Sequence, residues 1–285
     1  MPHLRLSSPA KLNLSLQVVQ KRSDGYHDLR TLFERIDLAD DLIFTSQKDQ
    51  NIRITCNDPQ VPCGAKNLIY RVAQCLQQNY RVTSGVKIKI IKRIPVAAGL
   101  GGGSSNAATA LLGLNKLWKL KLPLEVLVEH GRQIGSDVPF FLYQSSWALG
   151  TERGDKIEPL NLKKRLWQVL VVPRLKMYSG EVFGRLNLKL TKIKDNVNIL
   201  IPCLQKNDLE KLKSLLFNDL EEGILKICPG LLNVRKRFET CGGVKANFSG
   251  SGPAVFAVVN SFSEAQALKK RLSRYYRRVY VVRTF

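Results

Sequence analysis

Four glycines and two serines fall within seven residues, Gly99–Ser105, inside the stretch Pro95–Asn106 (PVAAGLGGGSSN), and run directly into an Ala/Leu-rich segment. Without Cβ atoms, backbone N–H groups can approach a ligand closely. The start of a helix adds unsatisfied donors and the positive end of a dipole. The chemistry on offer is anion binding, on a scale that suits a polyphosphate. A flexible linker could share this composition, but linkers seldom end by launching a long apolar helix. The familiar nucleotide loops do not fit. No Gly-Lys-Ser/Thr ends the loop, so it is not a Walker A element, and Gly99-Leu100-Gly101-Gly102-Gly103-Ser104 lacks the last glycine of the dinucleotide fingerprint. The Asp-Phe-Gly and His-Arg-Asp signatures of protein kinases are absent as well.

The elements that must position this loop are readable from hydrophobic period. Leu12, Leu14 and Leu16 share one strand face, and Leu16–Val19 leads into the polar turn Lys21–Gly25. Leu32–Ile36 and Leu42–Phe44 read as two further strands, and Val86, Ile88 and Ile90 alternate with Lys87 and Lys89 as a half-buried one. Helical spacing marks Asn67–Tyr80, about Ser104–Trp118 and about Leu124–Ile134, the last ending at Gly135 as a C-cap. Gly150–Pro159 is polar and turn-rich, the expected boundary region. Beyond it, Val169–Val172, Ala254–Val259 and Arg278–Arg283 read as strands, and Leu204–Leu216 and Ser263–Tyr275 as helices. Strands and helices interleave without a repeated unit, which points to an α+β fold with two domains, 1–158 and 159–285.

Composition bounds the function. Of 285 residues 44% are hydrophobic and 24% charged, an ordinary globular balance. No apolar run approaches the ~18–20 residues of a membrane span, and Met1–Ala10 lacks a secretory core, so the expectation is a cytoplasmic protein with no membrane partner. The six cysteines form no CxxC pair and no Cys/His ligand spacing, which favours free thiols over disulfides or zinc. The formal charge is +22, of which residues 159–285 carry +15. Such a field attracts anions without naming one. Short separate clusters such as Arg235-Lys236-Arg237 and Lys269-Lys270-Arg271 fit solvated helix faces. A nucleic-acid-binding role would leave the glycine loop without purpose, and no RNA-recognition aromatic motif accompanies it.

Two more motifs bracket the loop: Pro9-Ala10-Lys11-Leu12-Asn13-Leu14 with Arg22-Ser23-Asp24-Gly25-Tyr26-His27, and Ala246–Phe256 (ANFSGSGPAVF). With PVAAGLGGGSSNAA between them, the ordered set resembles the GHMP kinase superfamily of small-molecule ATP-dependent kinases, over about residues 7–259. The Asp-Gly-Tyr-His segment and Ser136–Phe141 (SDVPFF) narrow the resemblance. They point to the branch that phosphorylates the 2-hydroxyl of 4-diphosphocytidyl-2-C-methyl-D-erythritol, in the non-mevalonate isoprenoid pathway. The resemblance implies two lobes, the first with a left-handed β-α-β element and the second ferredoxin-like, with ATP and substrate in the cleft between them.

Carried across by position, Lys11 and Asp137 match the catalytic pair. A carboxylate can accept the hydroxyl proton as phosphoryl transfer advances, and an ammonium can hold that carboxylate ionised and stabilise charge on the transferring group. On its own, Asp137 would be read as an N-cap ahead of Val138, worth about 1 kcal/mol. Lys11 would be read as a solvated strand residue. The ATP match covers Pro95-Val96-Ala97-Ala98-Gly99-Leu100-Gly101-Gly102-Gly103-Ser104-Ser105, with Asn67 and Lys92 as neighbours of the adenine. Ala97-Ala98 stand where some relatives carry glycines. Ser249-Gly250-Ser251-Gly252 is a second glycine-rich turn closing the site. Tyr26 and Phe183 match aromatics that sandwich a cytosine, His27 the residue that bonds its polar edge, Ser179 a nearby polar contact and Asn13 a residue beside the erythritol. Mg²⁺ is implied by ATP chemistry, but no carboxylate pair dictates its ligands. The expected quaternary state is a monomer or weak homodimer.

Overall fold

Alternation at Val86–Ile90 becomes a strand with every second side chain inward, and most other expected elements follow their periods in the computed structural model, which describes residues 3–186 and 196–285. Two long strands open the chain, β1 (His3–Lys21) and its partner β2 (His27–Gln47). The two strands expected at Leu32–Ile36 and Leu42–Phe44 are parts of β2. The intervening Asp37-Leu38-Ala39-Asp40-Asp41 holds neither Gly nor Pro and stays extended. The chain divides into two compact units assembled from discontinuous segments.

The first unit comprises Met1–Ala10, Leu38–Val96 and Gly101–Ser145. In it β3 (Ile52–Cys56), α1 (Leu68–Tyr80) and β4 (Gly85–Ile91) form a parallel β-α-β crossover, and β4 runs antiparallel to Asp41–Gln47 of β2. Against α1 and one another pack α2 (Gly102–Leu117) and α3 (Leu124–Ile134), and the short α4 (Val138–Leu142) packs on α2 and α3. Small residues let α2 approach the sheet: a Cβ on Gly113 would come within 2.6 Å of Phe44 Cζ. Gly135 does end α3, its N–H bonding Gly131 O at 3.0 Å, but in extended rather than left-handed backbone.

The second unit comprises Lys11–Asp37, Ala97–Leu100 and Ser146–Phe285. Here Thr31–Glu34 of β2 pairs antiparallel with β5 (Trp147–Thr151), which pairs with β6 (Lys156–Leu160). Residues 150–159, expected to be a polar, turn-rich boundary region, are thus largely a hairpin, with Pro159 opposite Ala148 and only 152–155 turning. After β7 (Trp167–Val171) come α5 (Ser179–Gly184), α6 (Asn196–Lys206), α7 (Leu209–Leu215), α8 (Glu221–Ile227) and α9 (Leu231–Gly242). Then follow β8 (Asn247–Phe248), β9 (Val255–Val259), α10 (Phe262–Leu272) and β10 (Val279–Arg283). An antiparallel sheet in the order β10-β7-β9-β8 buries Val169, Val171, Val255 and Ala257 against Phe238, Leu268 and Leu272 of α9 and α10. The single helix expected at Leu204–Leu216 is broken. Asn207 takes φ +60 and Asp208 caps α7, accepting from Lys211 N at 3.1 Å, a role for which both residue types are suited.

All six cysteines are free thiols. Among the described residues, no helix is long and apolar enough to cross a membrane.

Candidate active site

In the first unit the glycine loop leads straight into a helix, as its sequence pattern predicted. α2 starts at Gly102 behind Gly101, which is left-handed at φ +66; no side chain caps the helix and no acidic residue lies in its first turn. Its leading N–H groups are therefore donors available to an anion. Gly103 leaves its surroundings open, with only Leu68 Cδ1 at 4.0 Å from an added Cβ. The flanking residues are more committed than the sequence indicated. Ser105 is buried, its hydroxyl 2.8 Å from that of Ser8. Asn67 uses its amide to cap α1, accepting from Ile69 N at 2.9 Å and donating to Pro62 O at 2.6 Å. The Lys92 ammonium donates to Asp40 Oδ2 and Ile94 O, both at 2.7 Å, in a buried ion pair. Asp137 is half-buried at the first boundary of α4, in helical backbone, and its side chain does not cap the helix. The simple capping account of this aspartate is thereby set aside.

In the second unit, residues 97–100 are gripped by the other glycine-rich turn. Ala254 N donates to Ala98 O at 3.2 Å, Ser249 Oγ to Gly99 O at 3.0 Å and Lys11 N to Leu100 O at 3.0 Å. Gly99 has φ +76, and a Cβ there would lie 2.2 Å from Ser249 O, so glycine is obligatory. Ala97 sits at φ +52, a conformation costing an alanine about 1–2 kcal/mol. Lys11 is buried at 4% exposure, not a solvated strand residue. Its ammonium donates to Asn13 Oδ1 and lies 5.5 Å from the centre of the Phe33 ring. Asn13 in turn donates through Nδ2 to Thr31 Oγ1 at 2.8 Å and through its backbone N–H to Ser249 Oγ at 3.3 Å. A Cβ on Gly250 would come 2.8 Å from Asn13 Oδ1 and 3.3 Å from Lys11 Nζ, so backbone passes closely over both. Asn218 fastens the turn, donating to Phe248 O at 2.9 Å and Gly250 O at 2.8 Å. Lys11, Asn13 and the Ser249–Gly252 turn are thus brought together. Thr31 and Asn218 carried no sequence signal.

The aromatic group lies in the same unit. His27 and Phe183 stack directly, centroids 5.1 Å apart and planes at 23°. Burial, and then the Lys21 ammonium, hold the His27 pKa below the usual histidine range, so the imidazole is neutral at neutral pH. Tyr26 is 57% exposed, with the Arg153 guanidinium 5.3 Å from its ring centre and bonded to Asp155 at 2.6 Å. Phe183 therefore meets the histidine and Arg153 meets the tyrosine. Ser179 Oγ is 3.0 Å from Ser251 Oγ, linking α5 to the glycine turn.

Comparison with known proteins bears on the family and the fold. The GHMP kinases N terminal domain family matches residues 67–145, and GHMP kinases C terminal matches 200–278. The chain is 40% identical over 276 residues to the 4-diphosphocytidyl-2-C-methyl-D-erythritol kinase of Bacillus velezensis, covering 97% of this chain and 95% of that one. The chain belongs to the GHMP kinases, in the 4-diphosphocytidyl-2-C-methyl-D-erythritol kinase family. A crystal structure of 4-(cytidine 5'-diphospho)-2C-methyl-D-erythritol kinase superposes with a TM-score of 0.84 at 30% identity, covering 98% of each chain. The L. major mevalonate kinase, at 17% identity and a TM-score of 0.76 over 99% of this chain and 95% of its own, shares the fold.

For this kinase the metal question has a definite form. Among the described residues no three His, Cys, Asp or Glu side chains gather into a group that could hold an ion. The start of α2 offers backbone N–H donors, which can meet phosphate oxygens but cannot ligate a cation.

Proposed function

We propose that this kinase transfers the γ-phosphoryl group of ATP to the 2-hydroxyl of 4-diphosphocytidyl-2-C-methyl-D-erythritol. The observation that carries this reading is the trio Tyr26, His27 and Phe183. A neutral imidazole can offer both a donor and an acceptor to a cytosine edge, and the aromatic faces supply stacking worth about 1–3 kcal/mol. An acyclic, base-free alcohol has no use for these groups. A pocket built to bond the base would also discriminate against analogues without it, since its polar groups would be left unpaired.

In this reading the leading N–H groups of α2 and the loop Pro95–Ser105 hold the phosphates, Asn67 and Lys92 flank the adenine, and Asp137 receives the hydroxyl proton. Lys11, oriented by Asn13, stabilises charge on the transferring phosphoryl group. Asn13 borders the erythritol and Ser179 the cytidine. We read the chain as an N-terminal part, 1–158, and a C-terminal part, 159–285, acting as a cytoplasmic monomer or weak homodimer with Mg²⁺-ATP. The net charge of +22 steers the anionic substrate.

The test is ATP consumption by the purified protein with the cytidyl substrate, beside a mevalonate control. Turnover should require the cytidyl compound. Asp137→Asn and Lys11→Met should each lower kcat by about 10²–10³ without loss of the folded far-UV spectrum. Equal turnover of mevalonate would replace this reading with that of a kinase for base-free alcohols.

A further inference from the structure

The loop that reads as the ATP site has an anchor which none of its own residues supplies. Asp40, in the middle of β2, has no solvent exposure and takes four hydrogen bonds. Oδ1 accepts from Arg93 N at 2.7 Å and Ile94 N at 2.8 Å, and Oδ2 from Lys92 Nζ at 2.7 Å and Asn106 Nδ2 at 2.9 Å. The first three donors precede the glycine loop and the fourth lies in the first turns of the helix that follows it. The network continues: Asn106 Nδ2 also donates to Ser8 Oγ at 2.8 Å, and Ser8 Oγ meets Ser105 Oγ at the same distance. One buried carboxylate thus fastens both ends of residues 95–104.

We infer that Asp40 is the positioning residue of the ATP loop, acting through Lys92, Ile94 and Asn106 without touching the nucleotide. The inference rests on the reading of Pro95–Ser105 as the phosphate site. Replacing a buried ion pair by apolar side chains is often neutral or stabilising, so fold stability alone is a weak reason for Asp40 and Lys92. What an apolar residue cannot do is orient two consecutive backbone N–H groups. Their direction sets Ile94, whose side chain lies 2.9 Å from where a Cβ on Gly102 would stand, and Lys92 Nζ lies 3.1 Å from the same point. The first residue of α2 is therefore seated on the two residues Asp40 holds. A shift there re-aims the leading N–H groups, and such donors lose their effect when misplaced by about an ångström.

The experiment compares wild type, Asp40→Asn, Lys92→Met and the double variant Asp40→Asn/Lys92→Met. A non-hydrolysable ATP analogue and the cytidyl substrate are each titrated by calorimetry, and Tm is recorded in parallel. Asp40→Asn should weaken the analogue at least tenfold and raise KM for ATP, with cytidyl affinity unchanged within twofold. It strands the Lys92 ammonium in a buried site, so Tm falls; the double variant removes that charge and recovers Tm. Analogue binding weaker in the stable double variant than in Lys92→Met alone supports positioning, because Lys92 itself borders the adenine in the proposed site. Double-variant binding equal to that of Lys92→Met alone, with Tm recovered, overturns the inference, because Asp40 is then only a counter-charge. Should Asp40→Asn fail to fold, Asn106→Ala cuts the link to α2 while keeping the ion pair. It should weaken the analogue at least threefold, and unchanged binding overturns the proposal. A wild-type protein that binds no analogue refutes the reading of the loop itself, a result separable from the others.

Discussion

Glu34→Gln should stabilise the protein above neutral pH and change it little near pH 5. Glu34 is fully buried in the second unit, with Oε1 accepting from Gln168 Nε2 and Thr284 Oγ1, both at 2.6 Å. Oε2 has no partner among the described residues. Burial pushes its pKa up to about 7 from 4.5, against the two hydrogen bonds, which lower it, and with a smaller upward contribution from Asp37. The folded state therefore holds this proton more tightly than the unfolded chain does. The stability it contributes is fully present below about pH 4.5 and is lost as pH rises to about 7, after which it is constant. Across that window the loss is about 3 kcal/mol, from 1.36 kcal/mol per pH unit. Glutamine keeps the acceptor for Gln168 and Thr284 and cannot ionise. Thermal unfolding of both proteins at pH 5, 6, 7 and 8 should give curves that diverge with rising pH, by roughly 6–10 °C at pH 8. Parallel curves would refute the reasoning, because the carboxylate would then be solvated or paired when ionised.

Other consequences are equally direct. Because His27 is held neutral, affinity for the cytidyl substrate measured by calorimetry should be flat from pH 7 to 8.5. It should weaken only as acid protonates the imidazole beside Lys21. Gly99→Ala should cost more than about 2 kcal/mol in denaturant unfolding, since both φ +76 and the contact with Ser249 O oppose a side chain. If the positive field steers substrate, kcat/KM should fall steeply between 50 and 500 mM salt while kcat stays level; a flat kcat/KM would remove steering from the account.

The parts of this molecule legible in advance are those written in local pattern. Period identified α1, α3 and β4 almost to the residue, and glycine density found both turns that meet at Gly99 and Ser249. What escaped was decided by distant partners. Asp40 and Thr31 are ordinary strand residues until the fold supplies Asn106 and Asn13 beside them. The pairing of Lys92 with Asp40, 52 residues away, was equally out of reach, because sequence shows a charge and not its counter-ion. The hairpin β5–β6 hid behind Pro159 and Gly154, residues that usually mark open turns, because edge pairing tolerates a proline where its missing donor is not needed.

The clasp on residues 97–100 also orders events in time. Ser249 follows Gly99 by 150 residues and Asn13 by 236. At about 5–20 residues per second, roughly 8–30 s of synthesis separate the loop's emergence from that of the turn that secures it. During that interval the nascent chain carries the Gly99 loop without its second support, and a ribosome stalled before residue 249 holds a loop whose clasp is still unfinished. Order at residues 97–100 is thus a property the chain acquires only once Ser249 and Ala254 have emerged.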